Sequence, residues 1–241
     1  MSIAETVYKS IDRIPAGKIF GYNVFPEYQK APEAVVRAVG RRVDRQELKR
    51  LEKGRFYTPK KGILGEVPVG DSELVRNTLY SKGKRCGYIT GPALYNRWGL
   101  TTQIPKTISI AANRPAQTKD FGTIRIKIVP KRAPINDSTV PLLEILDVFR
   151  DAKKVPDARV ESVLDELTKR LKELAPAKLK KLQQFAVNYY NAGARALLGA
   201  LLTRNGQEIL PALRASMNPT TNFCLGLDLE KWPEARAWNI R

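Results

Sequence analysis

The residues from Val140 to Leu202 carry the pattern that most restricts the fold of this chain. Apolar residues recur there at spacings of three and four in four successive segments, which Pro156, Pro176 and Gly193 separate. This periodicity predicts four amphipathic helices, because residues three and four apart share one face of a helix. Such helices need partners to cover their apolar faces. We therefore expect a helical region from about residue 140 to 203.

The residues on either side of this helical region follow different patterns. The runs "KTISIAAN" and "GTIRIKIVPKR" predict two strands, paired antiparallel across the loop "RPAQTKDFG". The segment "GYITGPALYNRWGL" predicts a strand and then a helix that ends at Gly99. A turn-rich tail, residues 204–241, is expected to be held against the body by Trp232 and Trp238.

The first sixty residues predict a series of short elements. The segment "SIAETVYKSIDRI" reads as an amphipathic helix with a Ser2 N-cap and a capping box completed by Glu5. A short strand through "IF" follows, then a brief helix or turn, and then a helix from Pro32 on which Val36, Val39 and Val43 form one stripe. Two strands turning at Lys53-Gly54 complete the series.

This order of elements is typical of a winged helix-turn-helix. The predicted fold class is thus α+β, with an N-terminal winged helix-turn-helix, a small α/β unit and a helical C-terminal region. The predicted domains are residues 1–61, which bind DNA, and residues 62–241.

Positive charge is unevenly distributed along the chain. The sequence holds 42 Lys and Arg against 24 Asp and Glu, a net charge of +18, and residues 30–61 carry eleven basic and four acidic side chains. A field of this size attracts polyanions before any specific contact forms. Nucleic acid is therefore the expected partner.

The helix from Pro32 places Arg37, Arg41 and Arg45 opposite its valine stripe. The planar guanidinium can bind a phosphate or a guanine edge with two hydrogen bonds in the major groove, while lysines around the hairpin contact the DNA backbone. The alternative is an ordinary helix with a solvated arginine face. The predicted DNA-contacting residues are Arg37, Arg41, Arg42, Arg45, Lys49, Lys53, Arg55, Lys60 and Lys61.

Several function classes lack support in the composition. The absence of histidine excludes Ser-His-Asp and Cys-His catalysis and every His-ligated metal site. Cys86 and Cys224 lack metal-ligand spacing, and "GKRCGYITG" matches no phosphate-binding loop. We therefore expect no enzyme, no cofactor and no metal. Neither a membrane span nor a secretory signal is recognisable, so a soluble cytoplasmic protein is expected.

The order of segments resembles the AbiEi-type antitoxins and regulators of bacterial type IV toxin-antitoxin and abortive-infection systems. The similar segments run over nearly the whole chain and are "SIAETVYKSIDRIPAGKIF", "LEKGRFYTPKKG", "ITGPALYNRWGLTTQIP", "TISIAAN", "ARALLGALL", "SMNPTTNFCLGL" and "WNIR". The resemblance implies a winged-helix domain that binds the promoter of its own operon, and a C-terminal domain used in antitoxin function. It also implies a nucleotidyltransferase-like toxin as partner.

The leading hypothesis is therefore an autorepressor and antitoxin that binds an inverted repeat in double-stranded DNA upstream of its own gene. One alternative is a basic RNA-binding or RNA-processing factor whose positive surface spans both halves of the chain. Another is an interaction module whose winged helix no longer binds DNA. The sequence leaves open whether the protein acts as a monomer or as a dimer on two half-sites.

Overall fold

The computed structural model describes residues 2–63 and 65–241. Contacts within the chain divide it into two units, with the first ending at Gly83 and the second beginning at Lys84. Both helices and strands occur in each unit, so the α+β class is confirmed. No helix among the described residues is both long enough and apolar enough to cross a membrane.

The first unit begins with the helix predicted from its capping box. Ser2 Oγ accepts a hydrogen bond from Glu5 N, and Glu5 Oε2 accepts one from Ser2 N. Two turns of 3-10 helix, Tyr22–Val24 and Pro26–Gln29, precede the second α-helix. The α-helices and strands of this unit are α1 (Ile3–Asp12), α2 (Pro32–Asp44), β1 (Lys49–Glu52), β2 (Arg55–Tyr57), β3 (Lys60–Gly62), β4 (Gly65–Val67), α3 (Asp71–Leu79) and β5 (Tyr80–Ser81).

The core of the first unit is small and joins α1, α2 and the β1–β2 hairpin. Strand β2 also forms an isolated bridge, in which Phe20 and Phe56 exchange two backbone hydrogen bonds of 2.9 Å. The buried residues of this core are Val7, Ile11, Phe20, Phe25, Val35, Ala38, Val39, Leu48 and Phe56.

The predicted valine stripe of α2 was wrong at one position. Val36 is 40% exposed, and Val35 and Ala38 are buried beside Val39 in its place. At 100° per residue, Val35 lies about 40° from Val39 on the side of Ala38, whereas Val36 lies about 60° from Val39 on the opposite side. The helix therefore packs through a face rotated from the predicted one.

The hairpin β3–β4 and the helix α3 extend the first unit past its predicted end. The predicted boundary between residues 61 and 62 falls within β3, which pairs antiparallel with β4. Two long-range contacts hold this extension: Lys49 Nζ lies 3.1 Å from Glu66 Oε2, and Ile19 N donates to Glu73 Oε1 over 3.1 Å.

The second unit contains a four-stranded sheet and most of the helices. The sheet has the order β7-β8-β10-β9. The elements of this unit are β6 (Lys84–Arg85), β7 (Gly87–Thr90), α4 (Pro92–Arg97), β8 (Thr107–Ala112), β9 (Gln117–Asp120), β10 (Arg125–Pro130), α5 (Val140–Asp151), α6 (Val160–Lys172), α7 (Pro176–Tyr189), α8 (Ala192–Arg204) and α9 (Pro211–Ala215).

The predicted antiparallel pairing of "KTISIAAN" with "GTIRIKIVPKR" was wrong, because β8 and β10 are parallel neighbours. Part of the predicted loop, Gln117–Asp120, forms strand β9, which pairs antiparallel with β10 on its other side. The chain therefore crosses to the sheet edge and returns, so that β10 runs in the direction of β8. Side chains alternate within β10: Ile126 and Ile128 are buried, and Arg125 and Lys127 are exposed.

The four predicted C-terminal helices are confirmed as α5 to α8, and the tail is held as predicted. Trp232 and Trp238 are buried. Trp238 packs over Gly199 of α8 so closely that a Cβ at this glycine would overlap the indole ring. The indole Nε1 donates to Thr203 Oγ1 over 2.9 Å, which fixes the end of the chain on α8.

Candidate nucleic-acid interface

The exposed face of α2 carries three of the predicted DNA-contacting residues. Arg37, Arg41 and Arg45 are all exposed, with Arg45 at the C-terminal cap. Each successive arginine is rotated only about 40° from the last, because four residues slightly exceed one helical turn. Their guanidinium groups therefore extend from one side of the helix.

Two positions beside these arginines, Gly40 and Val36, leave the surface of the helix open to another molecule. A Cβ placed on Gly40 would meet no atom within 4 Å, and the neighbouring Val36 is 40% exposed. A glycine in a helix interior costs about 1 kcal/mol relative to alanine, and no contact within the chain requires one at this position. The face thus has room for another molecule to approach the helix backbone at Gly40, beside Arg37 and Arg41.

Two exposed acidic side chains reduce the net positive charge of the arginine face of α2. Arg37 lies 3.8 Å from Glu33, a pair in which both side chains are more than two-thirds exposed and which contributes little to stability. Asp44 is also exposed near the end of the helix. Three arginines against two carboxylates leave only one net positive charge, so strong binding of a polyanion needs charge from elsewhere.

The β1–β2 hairpin supplies further positive charge four residues beyond α2. Lys53 is exposed at its turn, where Gly54 has φ +72°, and Arg55 is half-buried at the start of β2. Arg50, which is exposed on β1, lies with its guanidinium carbon 5.9 Å from the Phe56 ring centroid. Lys60 and Lys61 are exposed on the separate hairpin β3–β4.

Arg42 differs from the other predicted contact residues on α2 because its side chain is only 20% exposed and forms two ion pairs. Its Nη1 lies 2.7 Å from Glu47 Oε2, and its Nη2 lies 3.2 Å from Asp12 Oδ1. Its guanidinium carbon also lies 4.6 Å from the centroid of the Tyr8 ring. Arg42 therefore joins α1 to the segment that follows α2, and Lys49 is similarly paired with Glu66.

A buried polar cluster in the second unit escaped sequence analysis. Asp147 of α5 accepts hydrogen bonds from Thr90 Oγ1 at 2.5 Å, from Tyr88 OH at 3.0 Å and from Tyr190 OH at 3.0 Å. Arg150 Nη1 lies 2.7 Å from Asp147 Oδ1, the same oxygen that accepts from Tyr190. This carboxylate connects α5 to β7 and to the end of α7.

Arg150 also binds the second carboxylate of the cluster, Asp151, through Nε and Nη2. Asp151 accepts a further hydrogen bond of 2.9 Å from Tyr95 OH. Burial alone would raise the pKa of Asp151, but its hydrogen bond and charge interaction with Arg150 outweigh burial and lower that pKa. Burial, together with the nearby carboxylates, raises the pKa of Tyr88, Tyr95 and Tyr190.

A sequence signal for this cluster existed in "VPLLEILDVFRD". Asp147 is four residues after Leu143, and both positions belong to the buried face of α5. A carboxylate on a core face needs buried hydrogen-bond donors, which the tyrosines and Arg150 provide. The sequence does not reveal which strands supply those donors.

A family model matches residues 6–183, about three-quarters of the chain, and the chain belongs to that family, DUF6088. The family is described as one of unknown function, so membership assigns no activity. The matched range contains the basic face of α2, both hairpins of the first unit, and Asp147, Arg150 and Asp151 of the second. No curated protein matches the sequence.

Proposed function

We propose that the first unit is a winged helix-turn-helix that binds duplex DNA, with α2 as its recognition helix and the β1–β2 hairpin as its wing. The observation that carries this proposal is the face of α2, where exposed Arg37 and Arg41 lie beside the open surface at Gly40. The major groove accepts an α-helix, and arginine is well suited to reading guanine there.

The order of elements supports the same reading. Helix α1, the bridge at Phe20, the turns before α2, α2 itself and the β1–β2 hairpin follow one another as in a winged helix. In this proposal Lys53, which is exposed at the hairpin turn, contacts a phosphate beside the groove. Phosphate contacts supply affinity, and the arginines of α2 supply specificity.

The biological role that we propose is autorepression combined with antitoxin activity. It rests on the resemblance to AbiEi-type antitoxins, which extends beyond the first unit into segments such as "GPALYNRWGLTTQ". In this proposal the protein represses its own operon and neutralises a nucleotidyltransferase-like toxin. The antitoxin function belongs to the second unit.

The first test is binding of the purified full-length protein to the DNA upstream of its own gene, measured by gel shift with scrambled duplex and RNA as competitors. The double variant Arg37→Ala/Arg41→Ala should bind at least about thirtyfold more weakly, because each lost base contact costs roughly 1–3 kcal/mol. The control Arg13→Ala/Lys18→Ala removes the same charge from two exposed positions outside α2 and should bind nearly as the wild type does.

Salt dependence separates the two kinds of contact. Lys53→Ala should lower the slope of log affinity against log salt by about one, without changing preference among sequences. If Arg37→Ala/Arg41→Ala bound the upstream DNA as tightly as the wild type does, α2 would not be the recognition helix. Better competition by RNA than by duplex DNA would instead favour the RNA-binding hypothesis.

A further inference from the structure

A cleft in the second unit lies between its sheet and two of its helices. Thr90, Ser109 and Val129 line it from the strands, and Arg150 and Tyr189 line it from α5 and α7. Its volume is about 660 Å³, within the range of roughly 300–1,000 Å³ that is usual for small-molecule sites. All the residues that line the cleft belong to the second unit.

Positive charge predominates along the cleft. Lys131 and Arg132 line it directly after β10, and both are exposed. Within residues 2–63 and 65–241, no carboxylate forms an ion pair with either of them. With Arg150 there are three cations, against Asp147 in the lining and Asp151, which pairs with Arg150, so that one positive charge remains in excess.

The Asp147 carboxylate is already fully engaged. Its two oxygens accept hydrogen bonds from two tyrosines, a threonine and Arg150. Repulsion of an anionic ligand by this group is therefore reduced, since its charge is balanced by Arg150 and dispersed over the hydrogen bonds. An anion entering the cleft meets a net positive surface.

Arg150 is held in place but keeps hydrogen-bonding capacity. Its bonds to Asp147 and Asp151 use three of the five guanidinium N–H groups, and its side chain is 17% exposed. Two N–H groups therefore remain for a ligand. The two aspartates fix the guanidinium plane, so binding a phosphate costs little side-chain entropy.

The other wall of the cleft offers an aromatic ring and an amide. The Tyr189 ring is half-buried and packs edge-to-face on Phe185, with ring centroids 5.4 Å apart. Asn188, which also lines the cleft, is exposed. A fixed aromatic ring can stack on a nucleobase, and an amide can hydrogen-bond to its edge.

We propose that this cleft binds a nucleoside phosphate, with the phosphate on Lys131, Arg132 and Arg150 and the base against Tyr189. The ligand is either a free nucleotide or the phosphorylated end of a nucleic-acid strand, which present the same chemistry. This site is independent of the DNA-binding function proposed for α2, so either proposal can fail alone.

The test is calorimetric titration of the full-length protein with AMP, ATP, adenosine and inorganic phosphate, and with a short single-stranded oligonucleotide carrying a 5′-phosphate or a 5′-hydroxyl. The double variant Lys131→Ala/Arg132→Ala changes only exposed side chains and should fold. It should bind AMP or the 5′-phosphorylated strand at least about tenfold more weakly, since hydrogen bonds to charged groups are strong. The control Lys172→Ala/Arg236→Ala removes the same charge from exposed positions outside the cleft and should bind like wild type.

The probes separate the possible ligands. Binding of AMP or ATP but not of the phosphorylated strand identifies a free nucleotide, and the reverse identifies a strand end. Binding of adenosine as tight as that of AMP would overturn the phosphate assignment, and binding of inorganic phosphate as tight as that of AMP would overturn the base assignment to Tyr189. An equal loss in the control variant, or no binding of any phosphorylated probe up to about 10 mM, would overturn the proposal.

Discussion

Helices of both units carry arginines, but the surroundings of these arginines differ. Arg37 and Arg41 of α2 extend into solvent, whereas Arg150 of α5 is 17% exposed and lies between two aspartates. The units do not differ much in charge density: residues 1–83 hold sixteen basic and ten acidic side chains, and residues 84–241 hold twenty-six and fourteen. The location of acidic partners, which charge counts do not contain, decides how much of the hydrogen-bonding capacity of an arginine is left for another molecule.

The largest effect is expected from removing the carboxylate of Asp147, which binds Arg150 in the second unit. Asp147→Ala removes one of the two carboxylates that bind Arg150 and the carboxylate that accepts from the hydroxyls of two tyrosines, and should lower the free energy of unfolding by about 3–5 kcal/mol. Urea titration followed by tryptophan fluorescence measures this effect in the second unit, which contains all three tryptophans.

Two controls make the loss specific to the buried carboxylate. Asp165→Ala, at an exposed position of α6, should change the free energy of unfolding by less than about 0.5 kcal/mol. Asp147→Asn keeps the shape but loses the charge beside Arg150, and should fall between the two. Equal stability of Asp147→Ala and Asp165→Ala would mean that the buried cluster does not hold the second unit together.

The same cluster should make the second unit sensitive to alkali. Tyr88, Tyr95 and Tyr190 have pKa values raised above the ordinary 10.0, by burial first and then by nearby carboxylates. The folded state therefore keeps protons that the unfolded chain loses above pH 10. Stability is unaffected by these groups below about pH 10, and each lowers it by about 1.4 kcal/mol per pH unit above that.

Urea titrations at about pH 9 and pH 11, with tryptophan fluorescence as the signal, measure this loss. Tyrosinate absorbance gives an independent reading, because the three tyrosines should ionise only together with unfolding. Ionisation of all nine tyrosines near pH 10 while the tryptophan signal stays native would contradict the buried network.

The sequence predicted most helices, because their determinants are local. The capping box of Ser2 and Glu5 and the apolar spacing from Val140 onward both act within a few residues. Strand pairing depends on residues that are distant in sequence, and the predicted pairing was wrong. The segment "RPAQTKDFG" has few apolar residues, so its pattern does not indicate strand β9. Without β9, β10 was predicted to run antiparallel to β8 instead of parallel to it. An exposed edge strand needs no apolar face to be held by hydrogen bonds to its neighbour.

The residues of the candidate sites could likewise be predicted from the sequence only where their determinants are local. The arginines of α2 follow from helical spacing, and Arg37, Arg41 and Arg45 are exposed as that spacing implied. Arg42 pairs with Asp12, which lies thirty residues earlier, so its orientation could not be predicted from the spacing of residues within α2. Likewise, the cleft of the second unit combines strands and helices that are far apart in sequence.

The smallest expected effect compares two adjacent arginines of α2. Arg42→Ala removes two partly exposed ion pairs and the contact with Tyr8, and should destabilise the first unit by about 1–2 kcal/mol. Hydrogen exchange of the backbone amides in α1 and α2 measures this change locally, which matters because the first unit contains no tryptophan. Arg41→Ala should leave exchange nearly unchanged, since Arg41 is exposed and its hydrogen bond to Tyr8 OH is exposed as well.

Binding of upstream DNA should reverse the order of the two variants. Arg41→Ala should weaken binding severalfold or more, whereas folded Arg42→Ala should bind almost as wild type does, because Asp12 and Glu47 already occupy its guanidinium. The two substitutions remove the same side chain from neighbouring positions, so helix propensity and net charge change equally. If Arg42→Ala weakened DNA binding as much as Arg41→Ala while its exchange stayed native, Arg42 would have to leave its acidic partners on binding DNA, and the distinction between the exposed and the internally paired arginines would fail.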